Sequence, residues 1–124
     1  MDSGQLIIGK ENVLKSKSYS FALEIVKVCR DLQKNKEVVL SKQLLRSGTA
    51  IGALIEEAKQ GESKADFIHK LSIANKEANE TQYWIRLLID SNTLSKKTGE
   101  PLLEKSIELI KILTASIKTS KAKR

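Results

Sequence analysis

The residues best equipped for chemistry are a carboxylate pair, one imidazole and one thiol. Glu77 and Glu80 lie three apart in the stretch KEANET. On a helix that spacing puts both carboxyls on one face. Such a pair could serve as general acid and base. It could equally hold a guanidinium from a neighbouring helix, and Arg46 is the obvious partner. An Arg fork matches carboxylate oxygens, so the ion-pair reading is preferred. His69, with Asp66 three residues before it, suggests half of a di-metal carboxylate site. That site takes a Glu from each of two helices and Glu-x-x-His from each of the other two. A chain with one His cannot supply the second motif, and Asp66 has a simpler place near a helix start at Ser63. Cys29 falls on an apolar helix face and reads as a small core residue. Neither GxxxxGK[ST] nor GxGxxG occurs, and no Ser-His-Asp set assembles around one His. Tyr83 and Trp84 could stack a base, but helix or subunit packing is the preferred role. The expectation is a protein that is not an enzyme, with no cofactor and no metal.

What remains is charge. The chain carries 22 basic and 15 acidic residues, a net +7. Residues 12–37 hold six basic against three acidic side chains, and residues 94–124 hold eight against three. The segments 38–62 and 63–93 are each neutral. Segregated positive charge attracts polyanions. The candidate nucleic-acid contacts are therefore Lys15, Lys17, Lys27, Arg30, Lys34, Lys96, Lys97, Lys111, Lys118, Lys121, Lys123 and Arg124. RNA, DNA and a protein partner all stay open as ligands, because charge can also serve solubility alone.

These side chains need elements to position them. The first helical segment runs from about Asn12 to Lys34, with a polar stripe at Ser20, Glu24, Lys27, Asp31 and Lys34. Nearly everything else in it is apolar, more than one contact surface uses. The second runs from about Val38 or Ser41 to Gln60 along Leu40, Leu44, Gly48, Ile51, Ile55 and Ala58, and Gly61 is expected to cap it. Gly48 and Gly52, one turn apart, suggest close approach by another helix, with Ala74 and Ala78 as facing candidates. The third starts at Ser63 and follows Phe67, Leu71, Ala74, Ala78, Thr81, Ile85 and Leu88. The fourth is expected from Pro101 to about Ile117, along Leu103, Ile107, Ile110, Leu113 and Ile117. Four amphipathic helices with short connections give an all-α, antiparallel up-down-up-down four-helix bundle. Residues 1–11 read as an extension, 12–118 as the bundle and 119–124 as a basic tail. The apolar surplus on the first and fourth helices reads as an oligomer interface.

No apolar run reaches the ~20 residues of a membrane span. The opening MDSGQLIIGKENVLK lacks the pattern of a signal peptide, and a single Cys fits a reducing compartment. A cytoplasmic protein without membrane contact is expected.

The stretch LSKQLLRSGTAIGALIEEAKQGESKADFIHKLSIANKEANETQYWIRLL, Leu40 to Leu88, resembles the four-helix-bundle proteins encoded in intervening sequences of 23S ribosomal RNA genes. YSFALEIVKVCRDL is similar to that family's first helix. The pattern is Arg46, Ser47 and Gly48, then Ala50 and Ile51, Glu57, Ser63, Phe67 and the Glu77 region. Many members read S-I-x-x-N-I-A-E-G where this chain has Ala50 and Leu54 in place of Ser and Asn. The resemblance implies an antiparallel four-helix bundle that assembles into a ring, typically a homopentamer. It also implies kinship with the basic accessory variability protein of diversity-generating retroelements, which associates with RNA and a reverse transcriptase. The leading functional expectation is a bacterial, oligomeric, nonenzymatic bundle that binds RNA or DNA electrostatically. The alternative is a ring-shaped scaffold for a protein partner.

Overall fold

The computed structural model describes residues 3–123, with side chains from residue 12 onward. Four helices account for nearly all of it: α1 (Ser3–Lys34), α2 (Val39–Lys59), α3 (Lys64–Asp90) and α4 (Lys96–Ala122). No strand occurs among the described residues. α1 starts upstream of Asn12, so the segment read as an extension is helical from Ser3.

The turns use backbone geometry that the chain's few glycines do not supply. α1 ends with Lys36 in the left-handed region (φ 68). The N–H of Glu37 then reaches the carbonyl of Leu32 at 2.9 Å, and that of Lys36 reaches Gln33 at 3.0 Å. α3 ends the same way at Asn92 (φ 60), with Thr93 to Leu88 and Asn92 to Ile89, both at 3.0 Å. These paired bonds satisfy the carbonyls a helix end leaves open. Gly61 does not cap α2 in this manner. No described glycine has positive φ, and α2 closes with short bonds from Gln60 to Glu57 and from Gly61 to Ala58. At the helix starts, the Ser63 hydroxyl accepts from the Asp66 N–H at 3.1 Å. Glu37 accepts from the Leu40 N–H, serving α2 where Val38 cannot.

The fourth helix begins at Lys96, not Pro101. Ser95 caps it by accepting from the Thr98 N–H. Pro101 therefore lies inside the helix. Gly99 lets this added turn lie close to α3: a Cβ there would lie 2.5 Å from Ile89 Cγ1. The core line of α4 is also rotated from the expected one. Gly99, Leu102, Ser106, Leu109, Leu113, Ser116 and Ser120 are buried, while Leu103, Ile110, Ile112 and Ile117 pack at its edges. Small serines on the line bring the helix close, and the branched side chains flank it.

Helix order follows from contacts at matched heights. Lys15 meets Glu56, Ser18 neighbours Gly52, Ile25 neighbours Gly48 and Cys29 meets Ser41, so α1 and α2 run antiparallel. Asn75 meets Thr114 and Ile89 neighbours Gly99, so α3 and α4 do too. Lys17 meets Glu108 and Glu24 meets Lys105, which closes α4 antiparallel on α1. Each helix packs closely on two neighbours, and among the described residues the backbones of the diagonal pairs do not approach one another as closely. This is an up-down-up-down four-helix bundle. Its core joins Leu14, Phe21, Ile25, Leu44, Ile51, Leu71, Ile85, Leu88, Leu109 and Leu113, all 0–2 % exposed.

The two central glycines face α1, not Ala74 and Ala78. A Cβ on Gly48 would meet Ile25 at 2.9 Å, so that position requires its missing side chain. A Cβ on Gly52 would meet Ser18 Oγ at 3.4 Å, an ordinary contact. No described helix is long and apolar enough to cross a membrane.

Candidate nucleic-acid interface

The acidic pair resolves first. Arg46 spans the α2–α3 seam, donating through Nη1 to Glu77 Oε2 at 2.9 Å and through Nη2 to Glu80 Oε2. The Trp84 indole N–H donates to the same Glu80 oxygen at 3.0 Å. Both carboxylates are thus engaged by donors. Trp84 packs against the core and meets Tyr83 edge-on at 5.2 Å between ring centres. Behind this pair, buried Thr81 and Ser47 hydrogen-bond across the seam at 2.9 Å. Among the described residues, no three His, Cys, Asp or Glu side chains are grouped to hold a metal. His69 is exposed. The Cys29 thiol is 1 % exposed and donates to the Ser41 carbonyl at 3.3 Å. Burial raises its pKa to about 11.

The basic candidates divide by what they touch. Lys15 pairs with Glu56 across α1–α2 at 3.7 Å. Lys17 pairs with Glu108 across α1–α4 at 2.7 Å, beside a second pair, Lys105 with Glu24. These last two pairs border a cleft of about 230 Å³ lined by Ser20, Phe21 and Leu109. Lys15 and Lys17 therefore have intramolecular partners that a tally of charges does not reveal. Lys27, Arg30 and Lys34 are exposed on the last turns of α1, and Lys96 and Lys97 on the first turn of α4. Lys111, Lys118 and Lys121 are exposed farther along α4, while Lys123 is half-buried at its end. Arg124 lies outside the described residues. The antiparallel course brings Lys27, Arg30, Lys34, Lys96 and Lys97 to one end of the bundle and Lys118 and Lys121 to the other, with Lys111 near the middle of α4. Lys36 and Lys42 join the first group, because the α1–α2 turn lies there. Sequence reasoning missed both: Lys36 falls in the break between the first two helices, and Lys42 in a segment of zero net charge.

An apolar strip accompanies the charges. Tyr19 is 66 % exposed and Leu23 57 % exposed on α1. Tyr19 lines a groove of small side chains, Ala22 on α1 with Thr49, Gly52 and Ala53 on α2, beside the Lys15–Glu56 pair. A second apolar hollow lies between Val13 and Ile112 with Ala115.

The model of the 23S rRNA-intervening sequence protein family matches residues 10–115. The chain is also similar to a crystal structure of a protein of unknown function from the S23 ribosomal protein family of Bacteroides thetaiotaomicron. The two share 51% identity at a TM-score of 0.85, over 88% of this chain and 98% of that one. No functionally curated protein matches. Both the bundle and the sequence match place the molecule: the chain belongs to the 23S rRNA-intervening sequence protein family.

Proposed function

We propose that the chain is a nonenzymatic, oligomeric cytoplasmic protein that binds RNA or DNA through the charge of its basic surfaces. The observation that carries this reading is the set of exposed cations without an acidic partner among the described residues, Lys27, Arg30, Lys34, Lys96, Lys97, Lys111, Lys118 and Lys121. Each such cation brought onto a phosphate releases condensed counterions, which drives binding. Assembly supplies the avidity. The apolar strip around Tyr19 and Leu23 supports a self-contact, and a cyclic homopentamer is the assembly proposed. A ring repeats one heterologous contact and multiplies each weak basic patch.

Retention of RNA or duplex DNA measured across a salt series tests the reading, alongside a chain ending at Ile117. Expected is binding that falls linearly in log salt. Binding that is absent at low salt, or indifferent to salt, removes it. Native mass measurement together with the 260/280 nm absorbance ratio reports subunit number and bound nucleic acid at once; a stable monomer at micromolar concentration removes the assembly. A second reading, a ring-shaped scaffold for a protein partner, rests on the same apolar strip and predicts partner binding that is insensitive to salt.

A further inference from the structure

The two ends of the bundle hold exposed cations in different settings. At the end made by the α1–α2 and α3–α4 turns, Arg30, Lys34, Lys36, Lys42, Lys96 and Lys97 are exposed, and none forms an ion pair among the described residues. The register makes them neighbours in height. Cys29 meets Ser41 and Glu24 meets Lys105, so the last turn of α1 lies level with the first turns of α2 and α4. Residues 27–42 and 86–100, which form this end, carry eight basic and four acidic side chains, more than half of the chain's net +7.

Three of these lysines sit where their own fold disfavours them. Lys96 and Lys97 occupy the first turn of α4, at the positive pole of the helix dipole, and no acidic residue shares that turn. Lys36 holds the left-handed backbone position that glycine or asparagine fills at lower cost. No ion pair or side-chain hydrogen bond within the described chain offsets either placement. A bound polyanion would.

We propose that this turn end is the face that grips the phosphate backbone of a nucleic acid, with the exposed ends of α1, α2 and α4 converging on it. This rests on the electrostatic reading above and adds its location. An anionic membrane surface is the competing occupant, since Val38 and Val39 protrude here at 42% and 72% exposure. Two valines give little apolar area to insert, and membrane-surface helices carry a broad apolar face that the short turn lacks.

The test compares two full-length variants. One is Lys34→Gln, Lys36→Gly, Lys96→Gln and Lys97→Gln together. The other is Lys118→Gln and Lys121→Gln. Fluorescence anisotropy with a labelled single-stranded RNA and a labelled duplex DNA is read between about 50 and 200 mM salt. The turn-end variant is expected to lose about 0.7 from the log–log salt slope for each RNA phosphate contact removed, and about 0.9 on duplex DNA. Its melting temperature should equal or exceed the wild type's, which separates lost binding from lost folding. The opposite-end variant should keep the wild-type slope. Equal losses in both variants, or loss only in the second, overturn the location while leaving nucleic-acid binding intact. Wild-type protein that binds neither probe overturns the electrostatic reading and this one with it. A turn-end variant that keeps nucleic-acid binding but no longer sediments with phosphatidylserine vesicles assigns the end to a membrane and overturns the proposal.

Discussion

The seams of α2 and the seam between α1 and α4 are built on different principles. Against α1, α2 removes a side chain: Gly48 lets Ile25 sit where a Cβ would collide. Against α3, it buries a hydroxyl pair, Ser47 with Thr81, under the Arg46 bridge to Glu77 and Glu80. The α1–α4 seam instead has a cleft bordered by two lysine–glutamate pairs, Lys17 with Glu108 and Lys105 with Glu24, all half-exposed. Desolvated contacts are costly to disturb, whereas solvent screens exposed pairs and chain entropy opposes holding them. The two seams of α2 should therefore be costlier to disturb than the α1–α4 seam, whose exposed pairs add little to its buried apolar contacts.

Overpacking the tight seam should have the largest effect. Gly48→Leu is expected to cost about 1–3 kcal/mol, seen as a melting temperature lowered by several degrees. A wild-type melting point would mean that Ile25 moves aside freely and that this seam is no tighter than the other. By contrast, Gly52→Ala should be close to neutral, since its Cβ meets Ser18 only at contact distance.

Next comes a pH effect in the same seam. Cys29 in the folded chain titrates at about 11, above the usual thiol value. The unfolded chain then loses its thiol proton first, so Cys29 favours the folded state below about pH 9 and that preference fades as pH rises toward 11. Within that window stability should fall by about 1.4 kcal/mol per pH unit more than in Cys29→Ala. Parallel denaturation curves for the two proteins from pH 8 to 10.5 would show that the thiol is not held neutral by the seam.

Thr81→Val keeps shape but removes the hydroxyl that Ser47 meets. It should cost about 1–2 kcal/mol in urea denaturation, with Thr81→Ser recovering most of it. An unchanged midpoint would take the buried pair out of the comparison. Smallest of all, Lys17→Ala or Lys105→Ala in the open seam should shift stability by less than about 0.5 kcal/mol, and less still at high salt. A loss above 1 kcal/mol for either lysine would make the two seams energetically alike.

Legibility followed burial. The line Leu71, Ala74, Ala78, Thr81, Ile85 and Leu88 could be read from the sequence and is buried as read, because a 3.6-residue period in side-chain type leaves one consistent inward face. The Arg46 bridge was also readable, since opposite charges at helix spacing on adjacent helices have few other partners. α4 was misread for the opposite reason. Its inward line mixes Gly99, Ser106, Ser116 and Ser120 with leucines, so the more hydrophobic line, Leu103 to Ile117, drew the assignment. Nothing in the sequence marks Gly99 as part of α4, because its demand comes from Ile89, on another helix. Among the candidate contacts, Lys15 and Lys17 looked free because Glu56 and Glu108 are far off in the chain.

The sequence by itself determined four amphipathic helices and their antiparallel order, since periodicity and short connections are local properties that chain geometry converts directly into a bundle; the family resemblance rested instead on the residue pattern from Leu40 to Leu88. Tertiary structure alone decided which glycines are obligatory, which lysines are already paired and which cations share an end. Those are properties of helix rotation and register, set by how side chains from different helices fill one shared volume, and no single segment encodes them.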